Sequence, residues 1–256
     1  MIQGVYLSAQ GAGIQSFRQD VLSNNLANAS TTGFKRDVPI FRVFEPNEVF
    51  DDLPIHLSGH RENGVAGVAV DGVATVHASG PLEKTDRPYD LGLTGEGFFR
   101  VSDGQQQFLT RNGRFDRDRT GHLVMEDTGL RVLNTAGTPV TIPEGLAQLD
   151  VTASGRISGR NAAGQTVSLG QLDLVTAPHE RLTKTGDSLY AFPHPGDLQP
   201  AQDRVRIRQG FVEASGVNPM LEMTSMIEAS RTFEANINLI RMQDESLGRL
   251  LQSVAG

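Results

Sequence analysis

The 256-residue chain contains no cysteine and no tryptophan. Without cysteine there can be no disulfide, no thiolate metal site and no cysteine nucleophile. Three tyrosines are too few to build a face of stacked rings, so a β-rich carbohydrate-binding module is a remote reading. Positive charge is also short: 23 Lys and Arg against 30 Asp and Glu give a net charge of −7. Phosphate backbones need a cationic face, so no nucleic-acid partner is expected. Long apolar runs are missing as well. No stretch approaches the ~18 residues of a membrane span, so no membrane insertion is expected. The first basic residue, Arg18, is not followed or preceded by the early apolar run of a secretory signal, so any export is expected to proceed without a cleaved signal peptide.

The last absence is local. After Pro219 there is no further proline, and no glycine before Gly248. Asn218 is a good N-cap and Pro219 suits the first helical position, so a helix is predicted from 219 to about 252. Met226, Phe233, Ile240 and Leu247 recur every seven residues, with Met223, Ser230, Ile237 and Leu251 as a second row. Such a helix measures roughly 50 Å at 1.5 Å per residue, longer than a small domain is wide. Part of its stripe therefore needs a partner. Leu7, Ile14, Phe17 and Val21 give the N-terminus a matching helical spacing, which should end in the run Asn24, Asn25, Leu26, Ala27, Asn28. Gly4, Gly11 and Gly13 each cost about 1 kcal/mol relative to Ala, so packing must hold this helix. The two ends are expected to pair, and to stay largely disordered until subunits meet.

The middle is β-rich. From Phe98 to about Val175, short runs of Val, Leu, Phe and Thr are divided by glycines at 104, 113, 121, 129 and 137. Asn112-Gly113 reads as a hairpin turn, with Asp103-Gly104 and Thr120-Gly121 in the same rhythm. The expected fold is a mainly β central domain, an antiparallel sandwich or barrel, with N- and C-terminal α-helices pairing like a coiled coil. The expected division is a helical domain of 1–33 plus 218–256, an extended connector with some strand at 34–84, and a β domain at 85–217.

Candidate chemistry is thin. Asp116 to Asp127 spaces Asp, Asp, Thr, Gly and Asp like a calcium loop, but Arg117 and Arg119 put positive charge at the cation's place. Strand, tight turn, strand accounts for the same letters. His56 and His60 have a zinc-like spacing, but Leu57-Ser58-Gly59 is a poor helix and a loop is the better account. Gly95-Glu96-Gly97 resembles half of a dinucleotide fingerprint yet runs into a strand, so it reads as a turn. No acid, base and oxyanion donor can be assigned together, so no catalysis, cofactor or metal is expected.

Several segments in order resemble the bacterial flagellar rod and hook family: Asn24-Asn25-Leu26-Ala27-Asn28 with Thr31-Thr32-Gly33-Phe34-Lys35; Pro88 to Gly95 with Gly97-Phe98-Phe99; Phe108 to Phe115; Gln209-Gly210-Phe211-Val212-Glu213; and Glu222 to Ile227. The length, Asn218-Pro219 and Arg231-Thr232-Phe233 are most similar to the proximal-rod branch, with the distal rod next. The resemblance implies a structural subunit of the basal body that spans the periplasm, is exported through the flagellar type III apparatus, and polymerises with its own copies and other rod subunits. Its assembly contacts are expected at Leu7, Ile14, Phe17, Val21, Asn24, Asn25, Asn28, Met223, Met226, Phe233, Ile237, Ile240, Leu247 and Leu251.

Overall fold

A computed structural model describes residues 2–44, 67–161 and 164–255. His56 and His60 lie outside the described residues. The chain forms two compact units, each gathered from separate stretches. A helical unit comprises Met1–Ala27, Asp37–Val76 and Asn218–Gly256; a β unit comprises Asn28–Arg36 and His77–Val217.

In the helical unit, α1 (Ile2–Ala27) packs against α2 (Pro219–Ala255). The predicted cap starts α2: Asn218 Oδ1 accepts the Met220 N–H at 3.1 Å and the Leu221 N–H at 3.4 Å. Strands β1 (Asp37–Phe44) and β2 (Gly67–Thr75) form an antiparallel ribbon from Asp37↔Thr75 to Phe44↔Gly67, which lies against α1.

The β unit is antiparallel throughout its described pairings. Its largest sheet runs through Thr183–Gly186, Leu189–Ala191, Gln107–Thr110, Phe98–Ser102, Arg131–Val132, Leu123–Met125 and Phe115–Arg117. A three-stranded meander spans residues 146–171, and the late strand Val205–Gln209 returns to pair with Leu91–Gly95. Alternation along Phe98–Ser102 sorts neighbours to opposite faces. Phe99 and Val101 join the main core with Leu91, Phe115, Met125 and Ile207, while Phe98 enters a smaller cluster with Leu109, Val175 and Tyr190. The middle is thus mainly β, flanked by terminal helices that pack together.

Two of the three expected turns are hairpins. Asp103-Gly104 joins strands paired from Phe99↔Thr110 to Ser102↔Gln107, and Thr120-Gly121 lies between strands paired from Phe115↔Met125 to Arg117↔Leu123. Asn112-Gly113 is not. The strands on its two sides pair with other neighbours, and both residues are buried. Leu91 N donates to Gly113 O, and a Cβ on Gly113 would sit 1.8 Å from Leu91 O. Glycine is needed there for a close backbone crossing, which the sequence cannot tell from a reverse turn.

Candidate assembly site

The helix seam follows from small and polar residues repeated by sevens. A Cβ on Gly4 would come within 3.0 Å of Gln243, and one on Gly11 within 3.1 Å of Asn236. Stepping fourteen residues further in α1 and fourteen back in α2 reaches Asn25, which donates to Glu222 at 3.3 Å. The register is therefore antiparallel and constant. Gly4 and Gly11 let the axes approach, whereas Gly13 faces open space. On α2 the inward positions Glu222, Met226, Ala229, Phe233, Asn236, Ile240, Gln243 and Leu247 alternate steps of four and three. The second inward row is accordingly 229/236/243. In the other sequence row Met223 and Leu251 are exposed, and Ile237 is half-buried.

The remaining anticipated residues distribute over the same elements. Val21 and Asn25 are buried, Ile14, Phe17 and Asn28 are half-buried, and Leu7 and Asn24 are exposed. Asn25 does more than end a helix. Its Oδ1 accepts the Asp37 N–H at 2.9 Å, and its Nδ2 donates to Asp37 O at 2.8 Å and to the buried Glu222. One amide thus ties the last turn of α1, the first residue of β1 and the first turn of α2.

This seam leaves apolar surface uncovered. By the register, the last ten or so residues of α2 run beyond the start of α1, and Leu250 and Leu251 there are exposed. Near its other end, Met220 (68%), Leu221 (63%), Met223 (41%) and Ile227 (56%) are exposed on α2. Among the described residues, buried amide atoms of Gln10, Gln15 and Gln243 lack hydrogen-bond partners, so the seam by itself is weakly stabilised.

A second tie lies inside the β unit, and composition gave no hint of it. Lys35, Arg111 and Glu213 are 1–2% exposed. Lys35 Nζ donates to Glu213 Oε1 at 2.5 Å and to Ala78 O at 2.8 Å. Arg111 donates to Glu213 Oε2 at 3.2 Å and to Gly95 O at 2.6 Å, and the Gly80 N–H donates to Glu213 Oε1 at 2.7 Å. Burial lowers the Lys35 pKa; Glu213 opposes that shift and Arg111 adds to it. Desolvation outweighs attraction here, so the cluster specifies geometry more than it adds stability. Around it, Gly33 N donates to Glu213 O at 2.8 Å, Gly216 N to Phe34 O at 2.9 Å, and Ser188 Oγ to Thr32 O at 3.2 Å. The arm at Asn28–Arg36 is therefore part of the β unit, although sequence spacing divided it at Gly33.

Gly33 has φ +68°, and a Cβ there would lie 2.5 Å from Arg111 C and Asn112 N. Gly33→Ala is expected to cost at least ~2 kcal/mol, since left-handed strain alone is ~1–2 kcal/mol. Chemical denaturation of the two proteins side by side checks this; equal midpoints would show that the arm is loosely held.

The Asp116–Asp127 segment is the strand, turn and strand read from the sequence. Asp118 Oδ1 accepts the Thr120 and His122 N–H groups, and the Thr120 hydroxyl chiefly holds its carboxyl below the usual carboxylate range. Asp127 accepts Asn112 Nδ2 at 2.9 Å. These carboxylates are committed to turn and loop hydrogen bonds.

The fold and its seams define a class: a β body carrying paired terminal helices with apolar surface left over, as an axial structural subunit requires. Comparison with known proteins agrees. Residues 7–35 match the family described as flagella basal body rod protein. Residues 92–159 match the flagellar hook protein FlgE/F/G D1 domain, and residues 208–253 the flagellar basal body rod FlgEFG protein C-terminal. Each matched segment supplies one member of the buried cluster: Lys35, Arg111 and Glu213. The chain is 31% identical to the flagellar basal-body rod protein FlgG of Bacillus subtilis, over 98% of both chains. It is 34% identical to FlgF of Caulobacter vibrioides over 90% of this chain and 92% of that one, and 32% identical to FlgF of Salmonella typhimurium over 96% of each. The chain belongs to the flagellar basal-body rod and hook family. It is a structural protein of that family and not an enzyme. Among the described residues, no helix is long and apolar enough to cross a membrane.

Proposed function

We propose that the chain is a structural subunit of the flagellar rod, most like the proximal type, which polymerises helically through its terminal helices as part of the drive shaft. The observation that supports this most directly is apolar α2 surface that α1 does not cover, at Met220, Met223 and Ile227 and again at Leu250 and Leu251. A surface of this kind is expected to mark a protein contact. A head-to-tail contact that does not close generates a helical assembly of copies and related rod subunits. The subunit would lie in the basal body across the periplasm and reach it through the type III export apparatus, with its weakly held ends ordered fully only on assembly.

Asn218-Pro219, Arg231-Thr232-Phe233 and the overall length favour the proximal branch. The distal rod has its own support in the end-to-end match to the Bacillus FlgG. Electron cryomicroscopy of basal bodies carrying this chain separates the two by the rod segment in which its density appears. Density absent from every rod segment would sink both.

A fragment spanning 28–217 should remain soluble and cooperatively folded yet fail to assemble. Its first residue opens the arm that supplies Gly33 and Lys35, so the buried cluster is kept. Circular dichroism and sedimentation read the outcome; an unfolded fragment, or one that still polymerises, contradicts the assignment of assembly to the terminal helices.

A further inference from the structure

The chain re-enters the β unit at His77, and residues 77–81 lie on that unit as a strap. Three holds are backbone contacts: Ala78 O accepts Lys35 Nζ, Gly80 N donates to Glu213, and Ala214 N donates to Pro81 O at 2.9 Å. The fourth is aromatic. The His77 ring stacks on that of His179 at 4.2 Å and 12°, stands edge-on to Phe98 at 6.2 Å, and lies 5.4 Å from Tyr190. Its Nδ1 is buried and has no hydrogen-bond partner among the described residues.

The titratable and charged groups around this cage are Lys35 from the arm, Arg111 from the loop after Gln107–Thr110, Lys184 from Thr183–Gly186, and the second imidazole of His179. Glu213 is the carboxylate that Lys35 and Arg111 engage, and the Gly80 N–H also donates to it. Glu180 and Arg181, beside His179, are exposed, and Arg181 pairs with Asp197. A neutral imidazole suits such a cage. An imidazolium would lose hydration and meet cations on several sides.

We propose that the 77–81 strap is a proton-released latch: neutral His77 keeps it docked in the His179–Phe98–Tyr190 cage, and protonation drives the ring out and frees the strap from the β unit. The same surroundings push the His77 pKa down from 6.5 to about 4, through burial first and then through His179, Lys35, Arg111 and Lys184. A released His77 takes up its proton near 6.5, and a docked one only near 4. Docking is therefore at full strength above about pH 6.5 and is lost progressively as pH falls through that window towards 4. Nothing in the fold requires assembly for this, so it stands whatever rod segment the chain occupies.

The test uses the full-length protein and amide exchange expressed as protection factors, which divide out the pH dependence of the chemical step. Between pH 7 and pH 4.5, protection of the Gly80 amide should fall about 10- to 100-fold, since each unit of pKa shift is a factor of ten. His77→Phe keeps an aromatic ring but cannot titrate, and should hold protection within about twofold. Unchanged protection in the native protein overturns the proposal. An equal loss in His77→Phe also overturns it and assigns the acid response to groups other than His77. Should His77→Phe fold poorly, the imidazole titration of native His77 decides: a midpoint well below 6.5 supports the latch, and one near 6.5 rejects it.

Discussion

Glu213→Ala is expected to lower stability by ~3–5 kcal/mol, the range for removing one partner from a buried ion pair. Glu213 answers two buried cations, Lys35 at 2.5 Å and Arg111 at 3.2 Å, and also receives the Gly80 N–H. Its loss would strand both cations where water cannot reach them. Removing the charges together is a different case. A Lys35→Met, Arg111→Leu, Glu213→Leu triple variant should be less damaged than Glu213→Ala, because burial already disfavours the Lys35 cation despite its partner. Urea titrations of the single and triple variants read both outcomes. A cost below ~1 kcal/mol for the single change would mean that water or another anion serves the site.

Assembly should respond to a different surface. Met223→Asp with Ile227→Asp places two carboxylates on the exposed α2 face without touching the inward rows. The monomer should keep its helicity and unfolding midpoint, since exposed substitutions usually change stability by no more than ~0.5 kcal/mol. Burying even one unpaired charge in a subunit contact costs several kcal/mol. A loss of ~3 kcal/mol per contact raises the concentration needed for assembly about 100-fold, at ~1.4 kcal/mol per factor of ten. Motility and sedimentation of the assembled rods measure the effect. Normal rods from this variant would move the contact elsewhere, and melting of the isolated chain would place the residues in its own core.

Much of this arrangement was legible because local rules carried it. The α2 cap was visible in Asn218-Pro219, and the absence of later breakers fixed its length to within a few residues. The Asp103-Gly104 and Thr120-Gly121 hairpins followed from glycine between apolar runs. Where the rules failed, the missing information was non-local. Asn112-Gly113 has a hairpin's letters, but Leu91 crosses it. The inward rows of α2 mix Ala229, Asn236 and Gln243 with large apolar residues, because glycines on α1 leave room opposite the polar ones. Apolarity alone therefore selected 223/230/237/251 as the second row, of which Met223 and Leu251 are exposed.

By itself the sequence determined two helical ends and a β middle, since capping and periodicity act over a few residues. Only the tertiary structure decided that Asn25 would clasp Asp37 and Glu222, and that Lys35, Arg111 and Glu213 would meet out of water. Those contacts join residues up to 197 positions apart, and no short-range preference records which distant charge will neutralise another. Partners across such distances are chosen when the whole chain closes, because a buried charge is tolerable only where its counter-charge arrives.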